Sequence, residues 1–236
     1  MSHRKKIILK LTGELLRHTD RGFDASALEN IAGQIKQLSS SYTFGIVTGG
    51  GNFFRGSQQS PEIGISLQTG HYVGMLATMM NGLIIQDIFE HAGIATTLFS
   101  AVPCDTIGLP LSPQAIRTAL ESDRCLLFAG GMGNPFLSTD TTAVIRALQI
   151  GATELWKGTK VDGVYSEDPL KNPQAQRLAK TTYKKALHDD LHIMDAAAFA
   201  LADPHNLIIR IFNIFHENAL LKAAHEKDFG STISHS

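Results

Sequence analysis

A short apolar run, Phe44 to Val47, leads directly into Thr48-Gly49-Gly50-Gly51-Asn52-Phe53-Phe54-Arg55-Gly56. The run reads as a buried strand, and three consecutive glycines remove every Cβ at its end, so the backbone can turn sharply and present bare N–H groups to an anion. Arg55 follows with a planar fork suited to phosphate oxygens. The combination reads as a phosphate cradle at the carboxyl edge of a sheet, with a plain turn as the alternative.

Upstream, Ile7 to Leu11 is a second apolar run, broken only by Lys10 and followed by Thr12-Gly13-Glu14. A buried ammonium is unfavourable unless an anion meets it, so Lys10 is a candidate phosphate ligand; the alternative is a lysine that snorkels from the strand end. Between the two runs, Asp24 is placed to cap a helix whose Leu28, Ile31, Ile35 and Leu38 share one face. Strand, helix, strand and glycine loop is the rhythm of a parallel sheet.

The remainder continues the alternation. Residues 57–70 are polar, lack periodicity and read as an irregular segment, followed by a helix from about His71 to Ala92 with Met75, Met79, Gly82 or Leu83, and Gln86 along one side. Strands are expected at Ile94–Phe99 and Cys125–Ala129, with a helix over Gln114–Glu121 behind Ser112-Pro113. The second strand runs into Gly130-Gly131-Met132-Gly133-Asn134-Pro135-Phe136-Leu137-Ser138-Thr139-Asp140, with a helix from about Thr141 to Ile150. There glycines, hydroxyls and a helix N-terminus converge, and Asp140 is that helix's cap, a charge that orients a catalytic lysine, or both. A third stretch, Lys157 to Pro169, has a turn at Asp162-Gly163. Tyr165 can stack on a flat heterocycle while a nearby carboxylate accepts from a ribose; a structural hairpin is the alternative. Residues 170–187 suit a surface excursion. Asp195 opens an alanine-rich helix, and a strand at Leu207–Phe212, a helix over Glu217–His225 and an apolar tail around Ile233 complete the chain.

Composition narrows the function classes. With 236 residues, 43% hydrophobic and 18% charged, the chain has ample material for a core, and residues 1–236 are expected to form a single domain. A net charge of -1 argues against a protein that coats nucleic acid. Cys104 and Cys125 lack metal-ligand spacing and read as buried free thiols, the histidines form no metal motif, and the N-terminal apolar run is too short for a signal peptide or membrane span. A cytoplasmic protein without a membrane partner is expected. No Walker or dinucleotide glycine motif is present. Three glycine or lysine loops at strand ends nevertheless supply what phosphoryl transfer needs: positioning and charge neutralisation.

Taken in order, Lys10-Leu11-Thr12-Gly13-Glu14, Gly49-Gly50-Gly51-Asn52-Phe53-Phe54-Arg55-Gly56, Gly74-Met75-Leu76-Ala77-Thr78, Gly133-Asn134-Pro135-Phe136, Thr139-Asp140, Thr159-Lys160-Val161-Asp162-Gly163-Val164-Tyr165 with Asp168-Pro169, Met194-Asp195 and Arg210-Ile211-Phe212-Asn213 resemble the bacterial UMP kinases of the amino-acid-kinase superfamily. The resemblance implies an α/β fold, a three-layer αβα sandwich around a mainly parallel sheet, assembled as a homohexamer. Its N-terminal part would serve mainly the acceptor and its C-terminal part mainly ATP. It also implies transfer of the ATP γ-phosphate to UMP, with Mg2+ carried by ATP. By position, Lys10, Asp140 and Asp195 resemble the catalytic set. Lys10, Leu11, Thr12, Gly13, Gly51, Arg55, Thr159, Tyr165 and Asp168 resemble the ATP site. Gly50, His71, Met132, Gly133, Asn134, Pro135, Phe136, Leu137, Ser138 and Thr139 resemble the UMP site. Asp195 stands where relatives that phosphorylate carboxylates tend to have a lysine, which favours a nucleotide acceptor. His71 replaces an aspartate and Met132 a threonine of the family pattern, so charged and hydroxyl contacts to the nucleoside are lost on the acceptor side. A kinase for another acceptor and a non-catalytic nucleotide-binding or storage protein are the competing expectations.

Overall fold

The computed structural model describes residues 4–17, 24–167, 172, 174–191 and 193–235. Lys5–Leu11 forms β1 and Tyr42–Thr48 forms β2, parallel neighbours with Lys10 beside Val47. Helix α1, Ala25–Leu38, joins them; the Asp24 carboxylate accepts from the backbone of Ser26 and Ala27, and Leu28, Ile31, Ile35 and Leu38 are buried.

The segment expected to be irregular is largely helical. Gly56–Glu62 forms α2, and α3 runs from Leu67 to His91, its first turn capped by Ser66 accepting from Thr69 N. Periodicity missed α2 because its buried side chain is the polar Ser60, which lies against Gly70 rather than in an apolar stripe. Helix α3 buries Met75, Met79, Ile85 and Phe89, whereas Met80 and Leu83 face outward, so the methionine cluster divides between core and surface. By length and composition α3 could cross a membrane, but it lies against the sheet with Met79 and Phe89 in the core.

Thr96–Ser100 is β3, Leu109–Pro110 β4, Pro113–Glu121 α4, Cys125–Ala129 β5, Thr139–Ile150 α5 and Glu154–Thr159 β6. Val164–Tyr165 and Arg177–Leu178, β7 and β8, pair antiparallel, which answers the hairpin question: Tyr165 sits on a two-stranded ribbon. Lys180–Thr182 is β9, Tyr183–His188 α6, Ala196–Ala202 α7, Ile208–Asn213 β10, Ala219–His225 α8 and Ser231–Ser234 β11. The expected surface excursion over 170–187 thus carries two short strands and most of a helix, and the apolar tail is a strand antiparallel to β10. These strands are two to four residues long, too short to show a period of their own.

Among the described residues, nine strands form one sheet in the order β4-β3-β5-β2-β1-β6-β10-β11-β9. All its pairings are parallel except β10 with β11. Ile7, Leu9 and Leu11 of β1 pack with residues of α1, α3 and α8, while Ile8 packs with residues of α4, α5 and α7. This alternation makes the three layers. The chain builds outward from β1 first through β2 and later through β6, so the carboxyl ends of these central strands border a switch in strand order, where open α/β sheets bind ligands.

Candidate active site

The centre starts from the pleat. Ile8 of β1 faces α5, so Lys10, two residues on, faces it too. Lys10 lies opposite Lys157 of β6, and Lys157 is 8% exposed. Two ammoniums side by side would repel each other; Asp140, in the first turn of α5, separates them. Its Oδ2 accepts from Lys157 Nζ at 2.7 Å, and its Oδ1 stands 3.1 Å from Lys10 Nζ as an ion pair without an aligned hydrogen bond. Lys157 also donates to the Ile193 carbonyl. Burial alone would raise the Asp140 pKa, but Lys10 and Lys157 together hold it below the ordinary carboxylate value. Burial lowers the Lys157 pKa against the pull of Asp140.

Asp140 is not the helix cap. Ser138 is: its Oγ accepts from the backbone of Asp140 and Thr141, each at 3.0 Å, which leaves both Asp140 oxygens for the lysines. Ser138 also donates to Asp195, which accepts from Thr141 Oγ1 at 2.7 Å and caps α7 through Ala198 N at 2.9 Å. Burial works to raise the Asp195 pKa, and these donors bring it below the ordinary value. Among the described residues, Asp195 therefore ties α7 to the start of α5 and makes no direct contact with Lys10.

The glycines are needed for close approach. A Cβ on Gly13 would come within 2.7 Å of Gly51 N and 2.8 Å of Gly49 O, so the turn after β1 nests into the triplet after β2. A Cβ on Gly50 would meet Ala77 and the Gly74 carbonyl of α3, each at 2.8 Å. Asn81, fully buried in α3, donates to Gly49 O at 2.8 Å and exchanges amide bonds with Asn52. Arg55 and Lys160 both pair with Glu14 at the mouth. The Leu11 side chain is buried and its carbonyl accepts from Gly49 N, so Leu11 shapes the strand end from beneath. Lys10, Thr12, Lys157, Thr159 and Tyr165 line one cleft of about 720 Å³. The Thr159 hydroxyl braces its own loop, donating to Val161 O at 2.8 Å. Asp168 lies outside the described residues.

The second glycine loop turns through left-handed backbone at Gly130, Gly131 and Gly133, and also at Phe136, with φ of 68°. Thr78 Oγ1 accepts from Gly130 N at 2.9 Å. Asn134, Phe136 and Leu137 are exposed, Met132 and Pro135 half-buried, and Phe136, 66% exposed, rests its ring 5.0 Å from that of His71. A Cβ on Gly49 would lie 3.9 Å from Thr139 Oγ1, so the far end of this loop returns to the triplet. Paired lysines under a carboxylate, nested glycine turns and a second glycine loop thus share one sheet edge. The family model of the amino acid kinase family matches residues 5–213.

The chain belongs to the amino acid kinase family. The chain is 40% identical over 232 residues to a uridylate kinase of Yersinia pestis (strain Pestoides F), covering 98% of this chain and 96% of the relative. It is 39% identical to a uridylate kinase of Methylococcus capsulatus, covering 97% and 96%. The UMP kinase from Ureaplasma parvum superposes with a TM-score of 0.94 at 33% identity, covering 98% and 99% of the two chains. The UMP kinase from Bacillus anthracis gives 0.91 at 28%, covering 98% and 96%.

Three residues that the structure brings to this sheet edge were not among the candidates from the sequence. Lys157 carries the same signal as Lys10, a lysine inside an apolar strand, and could have been found by the same argument. Asn81 and Glu14 could not, because a polar residue within a helix and an acid after a glycine look ordinary until the third dimension gives them partners.

Proposed function

We propose that the chain is a nucleoside monophosphate kinase that transfers the γ-phosphate of ATP to UMP, giving UDP and ADP. The observation that carries this is Lys10: a lysine held by Asp140 where the donor cleft meets the glycine triplet and the returning end of the second loop. In-line transfer asks the protein for charge neutralisation and alignment rather than a covalent nucleophile. Lys10 provides a fixed cation between donor and acceptor phosphates. Lys157 and Asp140 keep it from collapsing onto the sheet, and Arg55 can exchange Glu14 for phosphate. Thr12, Gly13, Gly51, Thr159, Tyr165 and Asp168 serve ATP in this reading. Gly50, His71 and Met132–Thr139 serve UMP, while Asp195 braces the junction.

Among the described residues no group of three or more His, Cys, Asp or Glu converges, and Asp140 is already shared by two ammoniums. This donor set suits Mg2+ held by the nucleotide's own phosphates, where it would neutralise developing charge. Self-association as a homohexamer is part of the same reading. It is supported by the row Tyr72, Leu76, Met80 and Leu83, which leaves one side of α3 apolar and exposed. So are a single-domain organisation, a cytoplasmic location, consistent with free Cys104 and Cys125, and the absence of membrane and nucleic-acid partners.

A coupled assay of ADP release with UMP, CMP, dUMP and acetylglutamate tests the function. Turnover with UMP is expected; turnover with acetylglutamate alone would reassign the acceptor, and none with any acceptor would leave a nucleotide-binding protein.

A further inference from the structure

Arg146, on α5, is 2% exposed, and no carboxylate among the described residues pairs with it. One terminal nitrogen donates to Gln149 Oε1 at 2.7 Å and the other to the Gly131 carbonyl at 3.0 Å. Its Nε has no partner, and the guanidinium lies 5.7 Å from the Phe128 ring centroid. A buried cation with one donor unsatisfied is a costly way to fill space against a phenylalanine, and an apolar side chain would pack there at less cost. What the guanidinium adds is a rigid fork that fixes the direction of a carbonyl.

That carbonyl belongs to a backbone with little stiffness of its own. Gly130, Gly131 and Gly133 all lie at positive φ, where glycine is as free to turn as it is anywhere. Arg146 follows Asp140 on the same helix by six residues, about 9 Å along its axis. One helix therefore holds the two lysines at its first turn and the start of the second glycine loop farther along.

We propose that Arg146 is a positioning residue that ties the loop Met132–Thr139 to α5, so that nucleoside recognition stays in register with the Lys10–Asp140 centre. This rests on reading that loop as the acceptor site. Burial lowers the Arg146 pKa to about 10, which leaves it charged at neutral pH.

The test uses Arg146→Met and Arg146→Lys in the full chain, with thermal melts and circular dichroism to establish folding. In a folded Arg146→Met, KM for UMP should rise about tenfold while KM for ATP stays within about twofold. Arg146→Lys should give a smaller rise of the same kind and serves if the methionine variant does not fold. Hydrogen exchange should quicken in peptides covering 130–137 and stay unchanged in those from α5. Unchanged exchange in the loop of either folded variant overturns the tether, as does loosening of α5 together with equal changes in both KM values. If the unmodified chain turns over no UMP, the acceptor reading falls and the exchange measurement still decides whether Arg146 holds the loop.

Discussion

The Lys10–Asp140–Lys157 centre and the loop from Met132 to Leu137 lie at neighbouring ends of α5 and β5, yet they are built in opposite ways. In the first, each charge has its partner, Lys157 is almost wholly buried, and register on β1 and β6 fixes where both ammoniums point. In the second, Asn134, Phe136 and Leu137 stand in solvent, and Phe136 occupies left-handed backbone that costs a non-glycine residue about 1–2 kcal/mol. The groups assigned to chemistry are preorganised by the sheet, and those assigned to nucleoside recognition sit on a loop that can adapt. Substitutions in the first should cut turnover, and substitutions in the second should change substrate affinity while leaving turnover nearly intact.

The largest effect is expected at Lys10. Lys10→Ala should lower kcat by roughly a thousandfold with only a modest change in KM for ATP, measured by steady-state ADP release. An unchanged kcat would make Lys10 a strand-end residue and dissolve the contrast.

Asp140→Asn comes next and reaches stability as well as rate. Leaving two ammoniums without their anion should destabilise the fold by about 3 kcal/mol, read from urea unfolding at neutral pH. The pH dependence has a defined sign. Because the folded pKa of Asp140 lies below its ordinary value of 3.8, its stabilisation is complete above that value and is lost as pH falls through the lower, folded one. The stability gap between the native chain and Asp140→Asn should therefore hold from neutral pH down to about pH 4 and close only below it. A gap that closed between pH 5 and 7 would show that another group supplies the difference.

The smallest effect tests the acceptor side at His71, which sits on α3 with its ring against Phe136 of the loop. His71→Asp, which supplies a charged acceptor for a ribose hydroxyl, should lower KM for UMP by about three- to tenfold without changing kcat. If kcat moves instead, the division between a centre that sets turnover and an acceptor side that sets affinity fails.

Much of this architecture could be read in the residues. The apolar runs at Ile7 and Phe44, the Asp24 and Ser112 caps and the periodic face of α1 are local patterns, each producing its element through burial or capping within a few residues. Lys10, Asp140 and the glycines were legible as candidates because an ammonium in an apolar strand and a Cβ-free turn are chemically unusual wherever they occur. Helix α2 and the short strands β8, β9 and β11 were not, because their stability comes from what they lie against. Ser138 rather than Asp140 as the cap of α5 was a choice between residues two positions apart that sequence pattern leaves open.

The chain's sequence by itself determined a parallel α/β sheet with glycine-rich loops at its strand ends, because strand burial, capping and glycine turns are short-range physics. Tertiary structure alone decided that Lys157 stands beside Lys10, that Asp140 divides its oxygens between them, that Gly13 fits into the triplet and that Arg146 reaches Gly131. Those relations join residues far apart in the chain, and they depend on strand register and helix placement, which are set only when the whole sheet closes around its two cores.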